Sequence, residues 1–538
     1  MAEQRWSFPL TPVLVLVLVA VTVALAASGC GGGSDLRSST VSATPTSQVA
    51  SGSVTASGVT VSGKVGAIGV TATAPTGVAD VGTHLVMSAA PAPTAKAFDV
   101  EVGAAPPVVL VLGNGAQPGK PVTLKFDLSG SPDLYGKFTD SVRPVIAVEQ
   151  GGDKSKPDLL LPNWDTASKT LTTTTDHLST FQVTLVDAGA ALDRAVRQAW
   201  QTVAGSLDSP CKDKSDINIG PNKLTLAPSK PGVVAACLRD TGAGIAVDFT
   251  SNSAQYFRVA ATPAGKFTNA QPLSGADQLA VALHDSFDHQ SGLLSPKGTG
   301  TLLLPPGTMS AQLHLDVDLA ALQLETILTG LDMLGADGDA LVAAFQNSKA
   351  GYDCLVTLYQ SWTTPNKPDT AEFTKALGDV AQCGLTGAEA AVGNQDAHRV
   401  LHRMSVAVSL FTTLPSQLLA NITGIIGEFT GDNHLEFTMA LGISGSWSGT
   451  WTTSDGETYP ATLQVSQDAP VKARMDIPGY ACGANWSEAK RNSTLVYVDA
   501  AVTYGTCANN TWVLTITGTS IAGDDTSSDG THVEFHRN

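Results

Sequence analysis

The spacing of apolar positions along this chain changes several times, and each change marks a segment. Short alternating or apolar runs occur at Thr83–Met87, Val108–Leu112, Val122–Phe126, Val145–Val148 and Phe181–Val186. Such runs suit strands with at least one buried face. Turn-forming stretches separate them, including Gly113 to Pro121 and Gly130 to Asp133,. The pattern predicts a β-sandwich over residues 61–187. Residues 188–317 mix periods. Ala190 to Leu207 and Ala276–Phe287 have helical spacing, whereas Val233–Leu238, Gly244–Phe249, Tyr256–Ala261, Thr301–Leu304 and Ala311–Val317 are strand-like. Over 318–432 the period becomes helical, with runs at Leu319–Leu334, Ala340–Phe345, Leu355–Trp362, Thr370–Cys383 and Ala388–Phe429,. The polar residues within Met404–Phe429, such as Ser409, Gln417 and Asn421, fit a buried bundle helix rather than a membrane span,. Residues 440–538 return to strands: Gly445–Thr452, Tyr459–Val465, Val471–Ile477, Thr494–Val502, Thr511–Thr517 and Thr531–Phe535. The predicted class is a multidomain α+β protein. It has a sandwich, an α+β segment with a helical bundle, and a C-terminal antiparallel β-barrel.

The N-terminal pattern is different again. Val13 to Ala27 is apolar or small apart from Thr22. A spanning helix needs about 20 apolar residues, so this length suits a signal-peptide core better. Leu25-Ala26-Ala27-Ser28-Gly29-Cys30 closes the run. It resembles the lipobox of bacterial lipoproteins, of actinobacterial type. That resemblance implies a signal peptide over 1–29, cleavage before Cys30, and a diacylglyceryl thioether on Cys30. It also implies anchoring on the extracytoplasmic side of the cell membrane. An uncleaved N-terminal anchor is the alternative. Residues 30–60 are Gly, Ser, Thr, Val and Ala with almost no charge, which predicts a flexible tether,.

Two further resemblances concern fold. Thr172 to Phe181 is similar to a strand that closes β-rich modules in many secreted bacterial proteins, which implies an immunoglobulin-like sandwich. The 440–538 segment, opening on Gly445-Ser446-Trp447-Ser448-Gly449-Thr450-Trp451, resembles small disulfide-bearing β-barrel modules of extracytoplasmic lipoproteins and receptor-like kinases. It is also similar to the start of a lipocalin or avidin meander. Trp447 and Trp451 would share one face, with Gly449 leaving room for their indoles.

Cysteine usage agrees with export. Apart from Cys30 there are Cys211, Cys237, Cys354, Cys383, Cys482 and Cys507, in three sequence-local couples. Sequence leaves all connectivities open, and the local set is the expected one. An oxidising envelope would sustain it. No Cys/His pattern of a metal site occurs. The net charge of −17 argues against nucleic acid as a partner,.

Candidate chemistry is sparse. Ser487-Glu488-Ala489-Lys490 matches a serine–lysine spacing but falls in a β segment, where a solvated turn is expected,. Gly113 to Pro121 departs from a phosphate loop at Asn114 and Pro121, so no nucleotide is expected,. His398 and His402 are four apart on a helix but lack the Glu of a hydrolytic zinc helix,. His284 and His289 flank Asp285 and Asp288 near a helix end, and Asp524, Asp525 and Asp529 form a fragment of a calcium loop. None is expected to hold a metal or cofactor. Trp447, Trp451, Trp486 and Trp512 concentrate in the barrel. There Trp486, Trp512, Tyr480 and Tyr497 are the best ligand-binding candidates, as stacking surfaces with polar rims.

These readings converge on a lipid-anchored, non-catalytic envelope protein that binds an envelope component, a cell-wall ligand or another envelope protein. The alternatives are an assembly partner of envelope proteins, or a glycan hydrolase whose paired carboxylates no local motif reveals.

Overall fold

The computed structural model describes residues 47–91, 98–149, 157–200, 216–219, 222–228, 233–270, 272–273, 275–335, 337–362, 370–391, 393–420, 434–492, 495–526 and 530–538. The leader, Cys30, Cys211 and the stretch 31–46 lie outside these residues. Among the described residues strand outweighs helix, 46% to 26%, so they are mainly β with a helical body rather than evenly mixed.

The first β unit contains β1 (Ser47–Ser53), β2 (Val59–Val65), β3 (Ile68–Ala74), β4 (His84–Ala89), β5 (Glu101–Ala104) and β6 (Val108–Leu112). It continues with β7 (Val122–Asp127), β8 (Val142–Glu149), β9 (Asp158–Leu160), β10 (Asn163–Asp165), β11 (Thr170–Thr175) and β12 (Thr180–Asp187). One antiparallel sheet runs β1-β4-β6-β12-β8-β9, with β5 also on β12, and the other runs β10-β11-β7-β3-β2. Leu85, Leu110, Phe181 and Val183 of the first sheet and Val70, Leu124, Phe126 and Leu171 of the second form one buried cluster. β1 begins inside the stretch expected to be tether. Its side chains are mostly exposed, so side-chain composition gave no signal there; backbone pairing with β4 orders it,.

Helix α1 (Ala188–Trp200) follows β12 directly. The second β unit then adds β13 (Asp216–Ile219), β14 (Asn222–Pro228), β15 (Val234–Asp240), β16 (Ile245–Ser251), β17 (Phe257–Thr262) and β18 (Lys266–Asn269). After α2 (Gly275–Phe287) come β19 (Gly292–Leu294), β20 (Thr299–Leu303) and β21 (Ala311–Val317). The chain next forms α3 (Leu319–Met333), α4 (Gly338–Gln346), α5 (Lys349–Trp362), α6 (Thr370–Ala390) and α7 (Gln395–Thr412). It returns as β22 (Leu435–Leu441), which sits between β14 and β21 in the sheet β13-β14-β22-β21-β17-β19. The helical body is therefore inserted between two neighbouring strands of one sheet. A second sheet, β15-β16-β20-β18, shares the apolar cluster of Phe249, Phe257, Leu313, Phe437 and Met439.

Local chemistry sets the helix limits. The Asp318 carboxylate accepts from Ala321 N at 2.8 Å and caps α3,. α3 buries residues all around its circumference, which makes it the centre of the helical body,. The run read as one helix over Ala388–Phe429 is broken. α6 continues to Ala390, and Asn394 caps α7 by accepting from Ala397 N at 3.2 Å. Cys354 and Cys383 join α5 to α6 with Cα atoms 5.4 Å apart. Cys237 is also disulfide-bonded. Arg403 donates to Asp158 at 3.0 Å, tying α7 to β9. Among the described residues no single helix is long and apolar enough to cross a membrane.

The C-terminal unit is a closed antiparallel barrel of eight strands. They are β23 (Gly445–Thr452), β24 (Thr458–Asp468), β25 (Val471–Ile477), β26 (Cys482–Arg491), β27 (Leu495–Tyr504), β28 (Asn510–Ile516), β29 (Ser520–Asp525) and β30 (His532–Arg537), with β23 pairing β30. Six strands were expected. The two added are β26, whose alternation is masked by small and charged residues, and β29. The second disulfide, Cys482–Cys507, closes the base of β26 and β27 with Cα atoms 6.0 Å apart.

Candidate functional site

The barrel does not offer the expected mouth. Trp486 and Trp512 are each 1% exposed and stack on each other with centroids 5.9 Å apart. With Trp447, Met475, Val498 and Phe535 they fill the interior. Tyr497 lies on the outer wall under the Lys490 ammonium. Tyr480 is half-exposed and packs on Trp451 and Tyr459, at centroid distances of 4.4 and 5.2 Å. The four residues thus occupy three separate environments. At Gly449 the backbone of β30 at Glu534 and Phe535 comes so close that any Cβ there would collide,.

The other sequence candidates are also accounted for. Ser487 to Lys490 lies within β26 rather than in a turn; Glu488 accepts from Val471 N and pairs with Arg491 at 2.8 Å. Asp524 and Asp525 stand on β29, where they meet His532 and Asn510, and Asp529 lies outside the described residues. His398 and His402 stack at 6.2 Å, while the intervening Arg399 turns to Asp158 at 3.7 Å. Burial, then the nearby His398, lowers the His402 pKa.

A groove with convergent polar groups does exist, in the second β unit. Its volume is about 620 Å³. Lys266 and Phe267 of β18, Asp285 near the end of α2, the following Asp288, His289 and Ser291, and Leu303 at the end of β20 with Leu304 to Pro306 line it. Gly292 and Gly300 lie against the Phe267 ring, and a Cβ at either position would collide with it. These two glycines seat the aromatic floor. The loop after α2 is folded by Asp288, which accepts from Gln290 N at 3.0 Å and from Ser291 Oγ at 2.5 Å. Burial opposes the Asp288 carboxylate, but the Ser291 and Gln290 bonds overcome it and hold its pKa below the ordinary value,. Asp285, which receives no such bonds, is raised by burial.

Behind the groove wall stands His284, fully buried. Its Nε2 is 3.2 Å from Ser291 Oγ, and its Nδ1 is 3.5 Å from Asp318 Oδ2. Asp318 also accepts from Tyr359 OH at 3.2 Å. The structure gathers Asp285, Asp288 and His289 at one groove, with His284 behind them, where the sequence predicts only a helix end. Asp318, Ser291 and Lys266 join from positions that sequence gave no reason to connect.

A second polar cluster was missed altogether. His314 and Asp316 on β21 face Glu436 on β22 and the adjoining His434. The His314 and His434 rings stack at 5.9 Å. Ligand atoms of His314, His434 and Glu436 all lie within 4.8 Å of one another, the one such group found among the described residues. The available signal was a repeated tripeptide, His314-Leu315-Asp316 and His434-Leu435-Glu436. Each places two polar groups on one face of a strand and an apolar residue on the other.

No known family model and no curated protein matches this chain.

Proposed function

We propose that this chain is a lipid-anchored, non-catalytic envelope protein that binds a small cell-wall component in the groove beside α2. The groove carries this reading. It joins an aromatic and proline-lined floor to carboxylates, an imidazole and an ammonium group, which suits a sugar- or peptide-sized ligand with both polar and apolar faces,. The lipobox at Cys30 and the disulfides support an extracytoplasmic location,. The filled barrel interior moves the expected site away from Trp486 and Trp512. We take the two-sheet N-terminal unit as immunoglobulin-like and the barrel as a lipocalin- or avidin-like meander. The support is two antiparallel sheets over one core, and eight strands paired in sequence order.

The test immobilises the full chain and measures retention of soluble cell-wall fragments. Wild type and Tyr497→Ala should retain the same fraction, while Phe267→Ala and Asp285→Lys should lose it about tenfold or more. Equal retention by the groove variants, or none by wild type, would sink the proposal.

One observation favours a second reading, an envelope hydrolase. Ser291, His284 and Asp318 stand in the order of a nucleophile, base and acid, although His284 Nδ1, 3.5 Å from Asp318, makes no hydrogen bond to it,. The Ser291 hydroxyl nevertheless donates to Asp288 in this structure, which leaves its proton away from His284. Labelling of Ser291 by a fluorophosphonate, abolished in His284→Gln, would decide for hydrolysis over binding.

A further inference from the structure

We propose that His314, His434 and Glu436 form a zinc site on the exposed face of the β21–β22 pair, independent of the groove. Three observations carry it. The first is donor chemistry: two imidazoles and one carboxylate are a set that zinc takes with a fourth position left for solvent or a ligand. The second is spacing. A tetrahedral zinc with bonds of about 2.0–2.1 Å holds its ligand atoms roughly 3.3 Å apart. His314 Nδ1 lies 3.4 Å from Glu436 Oε1, while His434 Nε2 makes a 2.8 Å hydrogen bond to the same oxygen that an ion would replace. Small side-chain rotations therefore bring all three around one ion. The third is support behind the ligands. His434 Nδ1 is 2.6 Å from Asp316 Oδ1, so Asp316 fixes the ring with Nε2 directed at the site. Asp316 is itself 3.7 Å from the Arg258 guanidinium on β17. A carboxylate on the far nitrogen of a ligating histidine is the usual outer contact of a zinc-bound imidazole.

Register makes the arrangement repeatable rather than incidental. Leu315 pairs with Leu435, and His314 pairs with Glu436. Leu315 and Leu435 are buried, which pins the polar residues on either side to the outer face,. The ligands come from β21, just before the helical body, and from β22 with its preceding residue, just after it. A zinc ion here would clip together the two chain ends of that insertion. Binding in only the folded state would add stability in proportion to the free zinc concentration.

The test titrates the full chain with zinc chloride against a competing chelator dye and records melting temperature in parallel. The expected result is one equivalent bound and a higher melting temperature. His314→Ala should abolish that equivalent. Glu436→Gln, which keeps size and strand pairing, should weaken it sharply. Asp316→Asn should weaken it about 10- to 100-fold, as loss of an outer-shell partner does. His398→Ala and His402→Ala should leave it unchanged. X-ray absorption of the loaded protein should show two imidazoles. Zinc that binds equally to the His314→Ala and Glu436→Gln variants, or no stoichiometric binding to wild type, would overturn the proposal.

Discussion

Two tryptophans stacked in the barrel differ in one atom's fate. Trp512 Nε1 donates to Asn510 Oδ1 at 2.9 Å, whereas the buried Trp486 Nε1 has no partner. Replacing either by Phe removes similar volume, so the difference between the two variants isolates the hydrogen bond. Trp512→Phe should cost about 1 kcal/mol more than Trp486→Phe in denaturant unfolding. A second residue-scale contrast concerns Tyr256, fully buried, whose hydroxyl lies 2.8 Å from Asp277 and 3.2 Å from Glu325. One hydroxyl proton serves one carboxylate. Burial raises both acids, and for Glu325 the neighbouring Asp277 adds to the effect. A raised folded-state value means the native protein binds the proton more tightly than the unfolded chain does. The associated stability is full below the ordinary value near 4.5 and is lost as pH rises through the raised one,. Glu325→Gln keeps the neutral form at every pH. It should therefore melt close to wild type at about pH 4 and above it at about pH 7.5.

At the scale of elements, the sequence was most legible where one period persisted. The helical runs from Leu319 to Cys383 were readable because helix burial repeats every three or four residues; so were the local cysteine couples that staple α5 to α6 and the ends of β26 and β27. Less was readable where order comes from the backbone. β1 buries little, and Ser487 to Lys490 has the composition of a turn yet lies in β26, bulged between Glu488 and Lys490. The groove was not legible: Asp285, Asp288 and His289 are local and read as a helix end, and Phe267 and Pro305 reach them only through the β18–β20 pairing. The histidine cluster was illegible as a site because its halves stand on either side of the helical body. The α5–α6 staple closes a separation of 29 residues. Cys354→Ser with Cys383→Ser should lower unfolding stability by about 3 kcal/mol, measured against wild type under non-reducing conditions.

At the scale of the whole molecule, contacts join the described β units to the helical body and the barrel to the sheet before it. Val145, Ala147 and Leu159 of the first β unit join the same cluster as α1 and α3–α7, so the helical body has one flank on that unit. On the other side, Arg537 of the last barrel strand donates to the carbonyls of Gly442 and Ser444, fixing the passage from β22 into β23. The position of β22 also imposes a timetable. A chain made from its N-terminus holds β14 and β21 long before their common neighbour is added. Until residue 441 has been made, β14 and β21 each lack the partner they will share, and an unpaired strand edge can capture a foreign strand,. The helices lie between β21 and β22 in the sequence, so one half of the sheet waits on the far side of the helical body for its central strand.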